Sequence, residues 1–374
     1  MLPLETNRKF RLFALDATSN PRIHAHTLDD RGYVHQANRI GVPVTVGLEA
    51  SVLVYLPEHS NEEANWQLPI SLERITTDTT ACKVAQSQLQ LLAELTPADS
   101  LLSVIVADTA YGSLAPYSED QVVVARGRTD RKGRRSVKEN RNEHKGRGRP
   151  RKYASGTIRF IEDLPPGAEG GSDEESEHED TINRQEVVVL LNRWNDVYIE
   201  GHSELVDVVK VEIFAKHDST KTLLPPMLLI LSGKRRRELT ALEAYQCYRR
   251  RFDIEHFFRF AKQKLLFCAY QTPDLDHQIS WWWFCCMAYW LLFQVRHMAQ
   301  GSTRPWHKKR DSTKPAGPGE IKRLFATRIF PVLGSPSPPP TVREKSRGRE
   351  PGTCFPKRER KKVVKKCKMR RKIA

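Results

Sequence analysis

The 374-residue sequence predicts an α/β fold in which a mostly β segment interrupts the order of strands and helices. Three observations support this fold class. Short apolar runs alternate with a stretch of helical spacing in the first third of the chain, as in α/β domains. A β-rich block follows, and helical spacing resumes after it. Two of the apolar runs also lead into an aspartate, at the end of a strand where open sheets place their ligands.

The first elements are two strand regions and a helix. The run "FRLFALDATSNPR" predicts a strand from Phe10 to Leu15 that ends at Asp16 and a turn. The run "VTVGLEASVLVYLP" predicts one or two further strands over residues 44–56. Apolar spacing and composition predict a helix over residues 80–95.

Two more strands complete the first part of the predicted sheet. "SLLSVIVADTAYG" is fully apolar over residues 101–107, which is typical of a buried strand, and it delivers Asp108 at its end. "QVVVAR" predicts a short strand over residues 121–126. Carboxylates thus stand at the ends of two predicted core strands.

The pattern changes after Arg126. A basic, glycine-rich run comes first, and "GAEGGSDEESEHED" then predicts an acidic, disordered loop. Three strand-like stretches follow, so residues 127–232 are interpreted as a β-rich insertion with basic and acidic loops. Helical spacing resumes at "TALEAYQCYRRRFDIE", where Thr240 and Glu243 match a capping box at a helix start.

The charge of the chain favours an anionic partner. Lys and Arg number 61 against 45 Asp and Glu, a formal net charge of +16. Nucleic acid is the first candidate and an acidic membrane surface the second. Residues 341–374 hold fifteen Lys or Arg against three Glu, mixed with Pro and Gly, so they are predicted to be a disordered basic tail.

Cysteine usage and hydropathy exclude two other classes. The seven cysteines show no zinc spacing and no signal peptide precedes them, which predicts reduced thiols in a cytoplasm. The most apolar stretch, residues 279–295, has only 17 residues and contains four tryptophans. Because that length is at the short limit for a span and Trp prefers the membrane interface, a buried core helix is predicted there and no membrane partner.

The basic segment "GRGRPRKY", residues 146–153, has two interpretations. Its Arg-Gly-Arg-Pro centre, with Arg147 and Arg149, resembles the AT-hook that lies in a narrow minor groove. A solvated basic loop that contacts phosphates without sequence preference would have the same composition. Both interpretations imply DNA contacts by these arginines.

The stretch "YRRRFDIEHFFRFAKQKLL" carries an unusual combination of aromatic and charged residues. At about 100° per residue, Tyr248, Arg251, Glu255 and Lys262 fall on one narrow polar stripe, while apolar residues cover most of the remaining circumference. A helix that is apolar on most sides is buried, so the stripe would face an internal site or a ligand. An amphipathic helix with Glu and Lys in solvent is the alternative.

Three acids become candidates for one site: Asp16, Asp108 and Glu255. Hard divalent cations take oxygen ligands, and Mg²⁺ is commonly held by a few carboxylates together with substrate phosphates. Two such ions can activate an attacking oxygen and stabilise a leaving one in an in-line displacement. Each aspartate alone also has a simpler interpretation as a turn or cap residue.

Together these residues resemble the DDE transposases of bacterial insertion sequences, specifically the "insertion sequence four" family. The family's Tyr-x2-Arg-x3-Glu-x6-Lys pattern is matched by Tyr248, Arg251, Glu255 and Lys262. Its second acid lies in Asp-x-Gly/Ala-Phe/Tyr, matched by the four residues that start at Asp108. Its first acid ends the first strand, as in "LFALDATSNPR". The resemblance spans about residues 10–300.

The resemblance implies a ribonuclease-H-like core interrupted by an insertion. Its first part would be residues 1–126, the β-rich insertion 127–232, the second part with the catalytic Glu helix 233–300, and a basic, largely disordered tail 301–374. Asp16, Asp108 and Glu255 would hold two divalent ions, Mg²⁺ or Mn²⁺. The implied activity is end nicking and strand transfer during transposition.

The resemblance also implies partners and DNA contacts. Tyr248, Arg251 and Lys262 would grip phosphates of the transferred end, and Trp194 would stack on a flipped base, although a tryptophan on a β surface also suits core packing. The partners would be double-stranded DNA (element ends and target) and a second copy of the chain, in the cytoplasm and associated with the nucleoid.

One departure from the family leaves an alternative function open. Family members usually carry an N-terminal helical domain that recognises the terminal repeats, whereas the first predicted strand here begins about ten residues from Met1. The expectation is therefore either an N-terminally truncated copy or end recognition by the basic tail and insertion. A catalytically silent DNA-binding remnant is the alternative function, and a basic RNA-associated protein ranks third.

Overall fold

The computed structural model describes residues 7–35, 43–58, 65–96, 101–135, 156–162, 170–216, 218–299, 316–329 and 359–364. The chain forms two compact units that are interleaved along the sequence. The first unit comprises residues 1–17, 51–58 and 79–254, and the second comprises residues 18–50, 59–78 and 255–374.

The described chain has a mixed α/β fold with a large mixed sheet, which is consistent with a ribonuclease-H-like core. The strands are β1 (Phe10–Pro21), β2 (Gly32–His35), β3 (Val44–Tyr55), β4 (Leu68–Ile75), β5 (Leu102–Ala107), β6 (Gln121–Gly127), β7 (Lys132–Arg135), β8 (Ile158–Arg159), β9 (Glu174–Ile182), β10 (Gln185–Ile199), β11 (Val206–Ala215) and β12 (Asp218–Ser232). The helices are α1 (Ala81–Leu95), α2 (Ala241–Arg249), α3 (Asp253–Lys264), α4 (Leu275–Gln294) and α5 (Pro318–Leu324).

Three parallel strands form the centre of the first unit. The first half of β1 pairs with β5 up to the pair Leu15 and Ala107. β5 pairs in turn with β6 up to the pair Ala107 and Ala125. Every residue of β5 is buried, as its continuous apolar run predicts. These two ladders therefore end at the same edge of the sheet.

The predicted helix after the first strands is confirmed as α1. Thr80 is its N-cap, and its side chain accepts a hydrogen bond from the Lys83 backbone N–H. One polar residue lies on the buried face: Gln88 accepts a hydrogen bond from the Ser51 hydroxyl at 2.7 Å. This pairing satisfies a buried amide that would otherwise cost free energy on folding.

The strands of residues 127–232 extend the same sheet beyond β6. β12 pairs antiparallel with β6, and the order continues through β11, β10, β7 and β8. β9 runs antiparallel along β10. The β content predicted for this segment is therefore present, and in the first unit it continues the sheet of the three parallel strands.

The acidic stretch predicted as a disordered loop is partly a strand, so that prediction is wrong for Glu174–Asp180. These residues form most of β9. Their carboxylates have partners distant in sequence: Asn192 donates to Glu175 Oε1 at 2.6 Å, and Lys216 pairs with Glu179 at 2.9 Å. Arg249 pairs with Asp180. The composition of the acidic stretch does not reveal these partners, because they lie on other elements of the chain.

β1 is longer than the prediction of residues 10–15. It continues through Asp16 to Pro21, and its second half lies in the second unit. There the Arg22 backbone N–H donates to the Val46 carbonyl at 2.8 Å. A Cβ at Gly47 would lie 2.3 Å from the Asn20 carbonyl oxygen, so glycine permits this close approach.

The stretch predicted as one helix bearing a polar stripe is divided. α2 starts at the predicted Thr240–Glu243 capping box, where the two residues exchange hydrogen bonds of 3.1 and 2.9 Å. A 3-10 turn, Arg250–Phe252, then separates α2 from α3. The stretch is therefore two α-helices joined by a 3-10 turn, and the prediction of one continuous helix is wrong.

The apolar stretch at residues 279–295 is confirmed as a helix that packs into protein. In the second unit, Tyr289 of α4 is buried and donates to Gln67 Oε1 at 3.2 Å, and Trp290 donates to the Pro69 carbonyl at 2.7 Å. Its other face exposes Phe284 and Leu291. Among the described residues, no helix is long and apolar enough to cross a membrane.

Part of the C-terminal region is ordered in the second unit. The helix α5 lies within the region predicted to be largely disordered. Residues 359–364 run beside β2: Lys361 N–H donates to the His26 carbonyl and Val364 N–H to the Arg31 carbonyl, both at 2.8 Å. These backbone hydrogen bonds do not depend on side-chain type, so the basic composition gave no sign of them.

Candidate active site

Asp16 and Asp108 lie side by side at the edge where the parallel ladders end. Each directly follows a residue of the last β1–β5 pair, Leu15 and Ala107. Both aspartates are partly exposed, in contrast to the buried residues before them. Asp16 is inside the longer β1 strand rather than at its end, but it is the first residue beyond the ladder with β5. The strand register thus places both carboxylates at the same edge of the sheet.

The loop after Asp108 is held by the tyrosine of the Asp-Thr-Ala-Tyr motif. Asp108 caps a 3-10 turn, Thr109–Tyr111, and its carbonyl accepts from the Tyr111 N–H at 2.9 Å. The Tyr111 ring is fully buried, and its hydroxyl lies 3.3 Å from the Ser51 hydroxyl. An aromatic residue at this position therefore anchors the loop that carries the aspartate.

Arg251 pairs with the first aspartate. Its Nη1 lies 3.2 Å from Asp16 Oδ2, and the whole residue is 8% exposed. The guanidinium also lies over the exposed Phe252 ring, 5.3 Å from its centroid. The resemblance implied a phosphate contact for Arg251; the structure shows a carboxylate contact, which fixes the orientation of the Asp16 side chain.

Tyr248 lies near the second aspartate. The residue is 7% exposed, and burial raises the pKa of its hydroxyl. The positive charges of Arg251 and Arg126 lower that pKa, while the charge of Asp108 raises it. These interactions bring Tyr248 and Arg251 of one helical segment beside Asp16 and Asp108 of the sheet, all within the first unit.

Arg126 is a member of this group that the sequence reasoning missed. It follows Ala125, which pairs with Ala107, so Asp16, Asp108 and Arg126 are successive neighbours along the edge of three parallel strands. The signal was present, because Arg126 ends the predicted strand "QVVVAR" as Asp108 ends its own. A single arginine at a strand end carries no motif of its own, so only the register of the folded sheet shows that it is next to Asp108.

A buried ionic network holds the start of α2. Asp207 is fully buried and accepts hydrogen bonds from Arg193 at 2.7 Å and Arg236 at 2.8 Å. Burial alone would raise the pKa of this carboxyl, but the hydrogen bonds from Arg193, Asp196 and Arg236 outweigh it and lower the pKa. Arg193 also donates to the Leu239 carbonyl at 2.6 Å, directly before the Thr240 cap. The network thus fixes the helix that carries Tyr248.

Glu255 and Lys262 lie on α3 in the second unit. They are seven residues apart, two helical turns, and therefore on one face. Glu255 is partly exposed. Burial lowers the pKa of the Lys262 ammonium, and the nearby Cys268 thiol opposes that shift. Neither residue belongs to the part of the chain that holds the two aspartates.

The donor set is compatible with a divalent cation only in part. Two neighbouring carboxylates suit Mg²⁺, which is often held by one or two carboxylates plus waters and substrate phosphates. Within the described ranges, no group of three or more His, Cys, Asp or Glu side chains lies close enough to hold a metal ion. Asp16 and Asp108 are therefore the part of the predicted ligand set that the first unit brings together.

Three further residues were predicted to contact DNA: Trp194, Arg147 and Arg149. Trp194 is 3% exposed, its ring packs edge-to-face on Phe160 at 5.2 Å, and its Nε1 donates to the Gly170 carbonyl at 2.9 Å. This is core packing, so the stacking on a flipped base is not supported. Arg147 and Arg149 lie outside the described residues.

Neighbouring carboxylates at the ends of strands can hold the divalent ions that assist phosphoryl transfer. The comparison with known families agrees with this class. Residues 2–162 match the family model described as DDE superfamily endonuclease. The match covers less than half of the chain and includes Asp16, Asp108 and Arg126; it supports a DDE transposase type of nuclease. No curated protein matches the sequence.

Proposed function

We propose that this protein is a DNA transposase of the insertion-sequence type, which nicks element ends and transfers the freed strand by metal-dependent phosphoryl transfer. The observation that carries the proposal is the row of Asp16, Asp108 and Arg126 at the edge of three parallel strands, with Tyr248 and Arg251 beside it. The match to the DDE superfamily endonucleases supports the same chemistry.

The carboxylates would hold two divalent ions. Asp16 and Asp108 are the first ligands, and Glu255 is the third by its place in the Tyr-Arg-Glu-Lys pattern. Bound metal would activate the attacking oxygen and stabilise the leaving one. Glu255 follows Arg251 by four residues: Arg251 lies in the 3-10 turn, and α3, which holds Glu255, begins directly after that turn.

The remaining side chains have separate roles in this proposal. Arg251 orients the Asp16 carboxylate by pairing with it. Without this contact the Asp16 side chain could turn away from the position in which it would bind metal. Arg126 provides a positive charge next to Asp108 for the scissile phosphate. Lys262 would contact a phosphate farther along the strand, as the pattern implies, since a lysine acts on phosphate as a point charge.

The test is Mg²⁺-dependent nicking of supercoiled plasmid and strand transfer of labelled duplexes made from the DNA that flanks the gene. Asp108→Asn and Glu255→Gln keep side-chain size but remove the charge that binds metal. Each is expected to lower nicking at least about 100-fold while duplex binding persists. Asp276→Asn and Glu94→Gln, at exposed positions, are the matched controls.

Three outcomes distinguish the hypotheses. Loss of nicking in both site variants and not in the controls supports the proposal. Nicking that survives Glu255→Gln removes this residue from the site. Duplex binding by the wild type with no nicking in Mg²⁺ or Mn²⁺ identifies a catalytically silent DNA-binding protein instead.

A further inference from the structure

A cavity of about 650 Å³ lies where β7 pairs with the end of β10, and neither aspartate lines it. Lys132, Arg134, Tyr198, Glu200 and His202 are among its lining residues. All of them belong to the first unit. The proposed chemistry at Asp108 uses none of these side chains, so the cavity needs a separate explanation.

The β7 sequence Lys-Gly-Arg places two cations on one face. Successive residues of a strand point to opposite faces, so Lys132 and Arg134 share a face and Gly133 has the other. Gly133 is required there, because an added Cβ would lie 2.5 Å from the Phe160 ring. Phe160 is fully buried. The core thus holds β7 in place while both cations stay exposed.

The other strand of the pair adds an aromatic ring. Tyr198 is the cross-strand partner of Arg134, so the two side chains lie on the same face. The phenol and the guanidinium together offer a donor group and a planar cation, which suit a phosphate oxygen. Arg131, directly before β7, donates to the Glu200 carbonyl and supplies a third positive charge nearby.

Charges of one sign dominate this surface. Lys132, Arg134 and Arg131 are cationic, and Glu200 is the acidic residue that lines the cavity. Side chains that bind phosphates are usually Lys or Arg with neutral hydrogen-bond donors, and they need no apolar pocket. The composition of the lining therefore fits an anion better than an apolar ligand.

One hydrogen bond connects the cavity to the loop that carries Asp108. The His202 Nε2 lies 2.8 Å from the Gly112 carbonyl oxygen, and Gly112 ends the 3-10 turn that Asp108 begins. Gly201 has a φ of +95°, which directs the chain so that His202 can reach Gly112. Burial lowers the pKa of His202, so the ring is neutral at neutral pH and donates from Nε2.

We propose that this cavity binds backbone phosphates of double-stranded DNA flanking the segment that reaches Asp108. The site rests on the proposed function, because it assumes a DNA substrate, and it adds a phosphate contact that the Tyr-Arg-Glu-Lys pattern does not contain. Lys132 and Arg134 are the contacting residues, and His202 positions the cavity relative to the Asp108 loop.

The experiment measures how duplex affinity depends on salt. Fluorescence anisotropy of a labelled 30-base-pair duplex gives Kd over a series of KCl concentrations. Each phosphate contact contributes about 0.9 to the slope of log K against log salt, so Lys132→Gln with Arg134→Gln should lower the slope by about two. Lys83→Gln with Lys234→Gln removes the same charge from exposed positions of the first unit and should leave the slope unchanged.

Each result has a defined meaning. A slope reduced by about two in the cavity variant alone, with its thermal unfolding unchanged, supports the site. An unchanged slope with wild-type duplex binding overturns the site and leaves the proposed function standing. A wild type that binds no duplex overturns both. Tight binding of inorganic phosphate alone at fixed ionic strength would overturn the proposed DNA-backbone site in favour of a site for free phosphate.

Discussion

Arg251 reaches Asp16 because a short 3-10 turn follows α2. The turn directs the guanidinium towards the edge of the sheet, where the carboxylate accepts its hydrogen bond. Two further residues are also positioned by their surroundings. Tyr111 holds the loop after Asp108 by burying its ring, and the strand register places Arg126 at the same edge as Asp108. Each of these contacts joins groups that are distant in sequence.

Removing Arg251 is expected to impair catalysis more than DNA binding. Arg251→Met should lower the single-turnover rate of plasmid nicking about 100-fold, since displacing a catalytic carboxylate by about 1 Å can lower the rate by that factor. Arg251→Lys should be intermediate because it keeps the charge but not the guanidinium geometry. Arg249→Met is the matched control, because Arg249 pairs with Asp180 on β9 instead. Equal nicking by Arg251→Met and wild type would contradict the role.

At the scale of elements, α2 is fixed at its first turn. The Thr240–Glu243 capping box satisfies the backbone there, and Arg193 binds the carbonyl just before it. Asp207 joins β11 to β10 and to the segment leading into α2. The position of Tyr248 therefore depends on strands of the β-rich region, although none of those strands supplies a candidate metal ligand.

Asp207→Asn tests whether the buried ionic network of Asp207, Arg193 and Arg236 stabilises the fold. Breaking a buried ion pair by removing one partner leaves uncompensated charge, so the free energy of unfolding should fall by about 3–5 kcal/mol. Urea unfolding followed by circular dichroism measures the change. Asp173→Asn breaks the partly exposed pair with Arg135 and should cost about 0–1 kcal/mol. Similar losses in both variants would show that the buried network has no special role.

His202 predicts a pH dependence of stability. Its pKa in the folded protein is below the ordinary 6.5, chiefly because of burial. Above pH 6.5 the ring is neutral in both states, and the full stability is present. As the pH falls below 6.5, the unfolded chain takes up the proton first, so the free energy of unfolding decreases until the folded pKa is reached.

The matched variant for this prediction is His202→Gln, whose amide can still donate to the Gly112 carbonyl. Urea unfolding at pH 7 and pH 5 should show a smaller loss for the variant than for the wild type. His24→Gln, at an exposed histidine, should retain the wild-type loss. An identical loss in His202→Gln would assign the pH dependence to other groups.

At the scale of the whole molecule, the two units share continuous elements. The boundaries at 17/18, 50/51 and 254/255 fall inside β1, β3 and α3. A cut at any one of these positions would therefore leave both units incomplete, and functional tests require the full chain. The net charge of +16 is likewise a property of the whole chain and favours an anionic partner.

Much of this site could be predicted from local sequence. The apolar run before Asp108, the strand before Asp16 and the capping box at Thr240 are short-range signals, and the structure contains each of them. The acidic strand β9 could not be predicted, because its carboxylates pair with Lys216 and Arg249 and accept a hydrogen bond from Asn192, all outside the strand. Trp194 likewise gave no local sign of its partner Phe160.

The sequence by itself determined the α/β class, the two aspartates and the Tyr-Arg-Glu-Lys pattern, because periodicity and motif spacing are properties of neighbouring residues. Only the tertiary structure decided that Arg251 pairs with Asp16, that Arg126 stands beside Asp108, and that a 3-10 turn divides the predicted helix. Strand register and burial decide such contacts, and both depend on residues far apart in the chain.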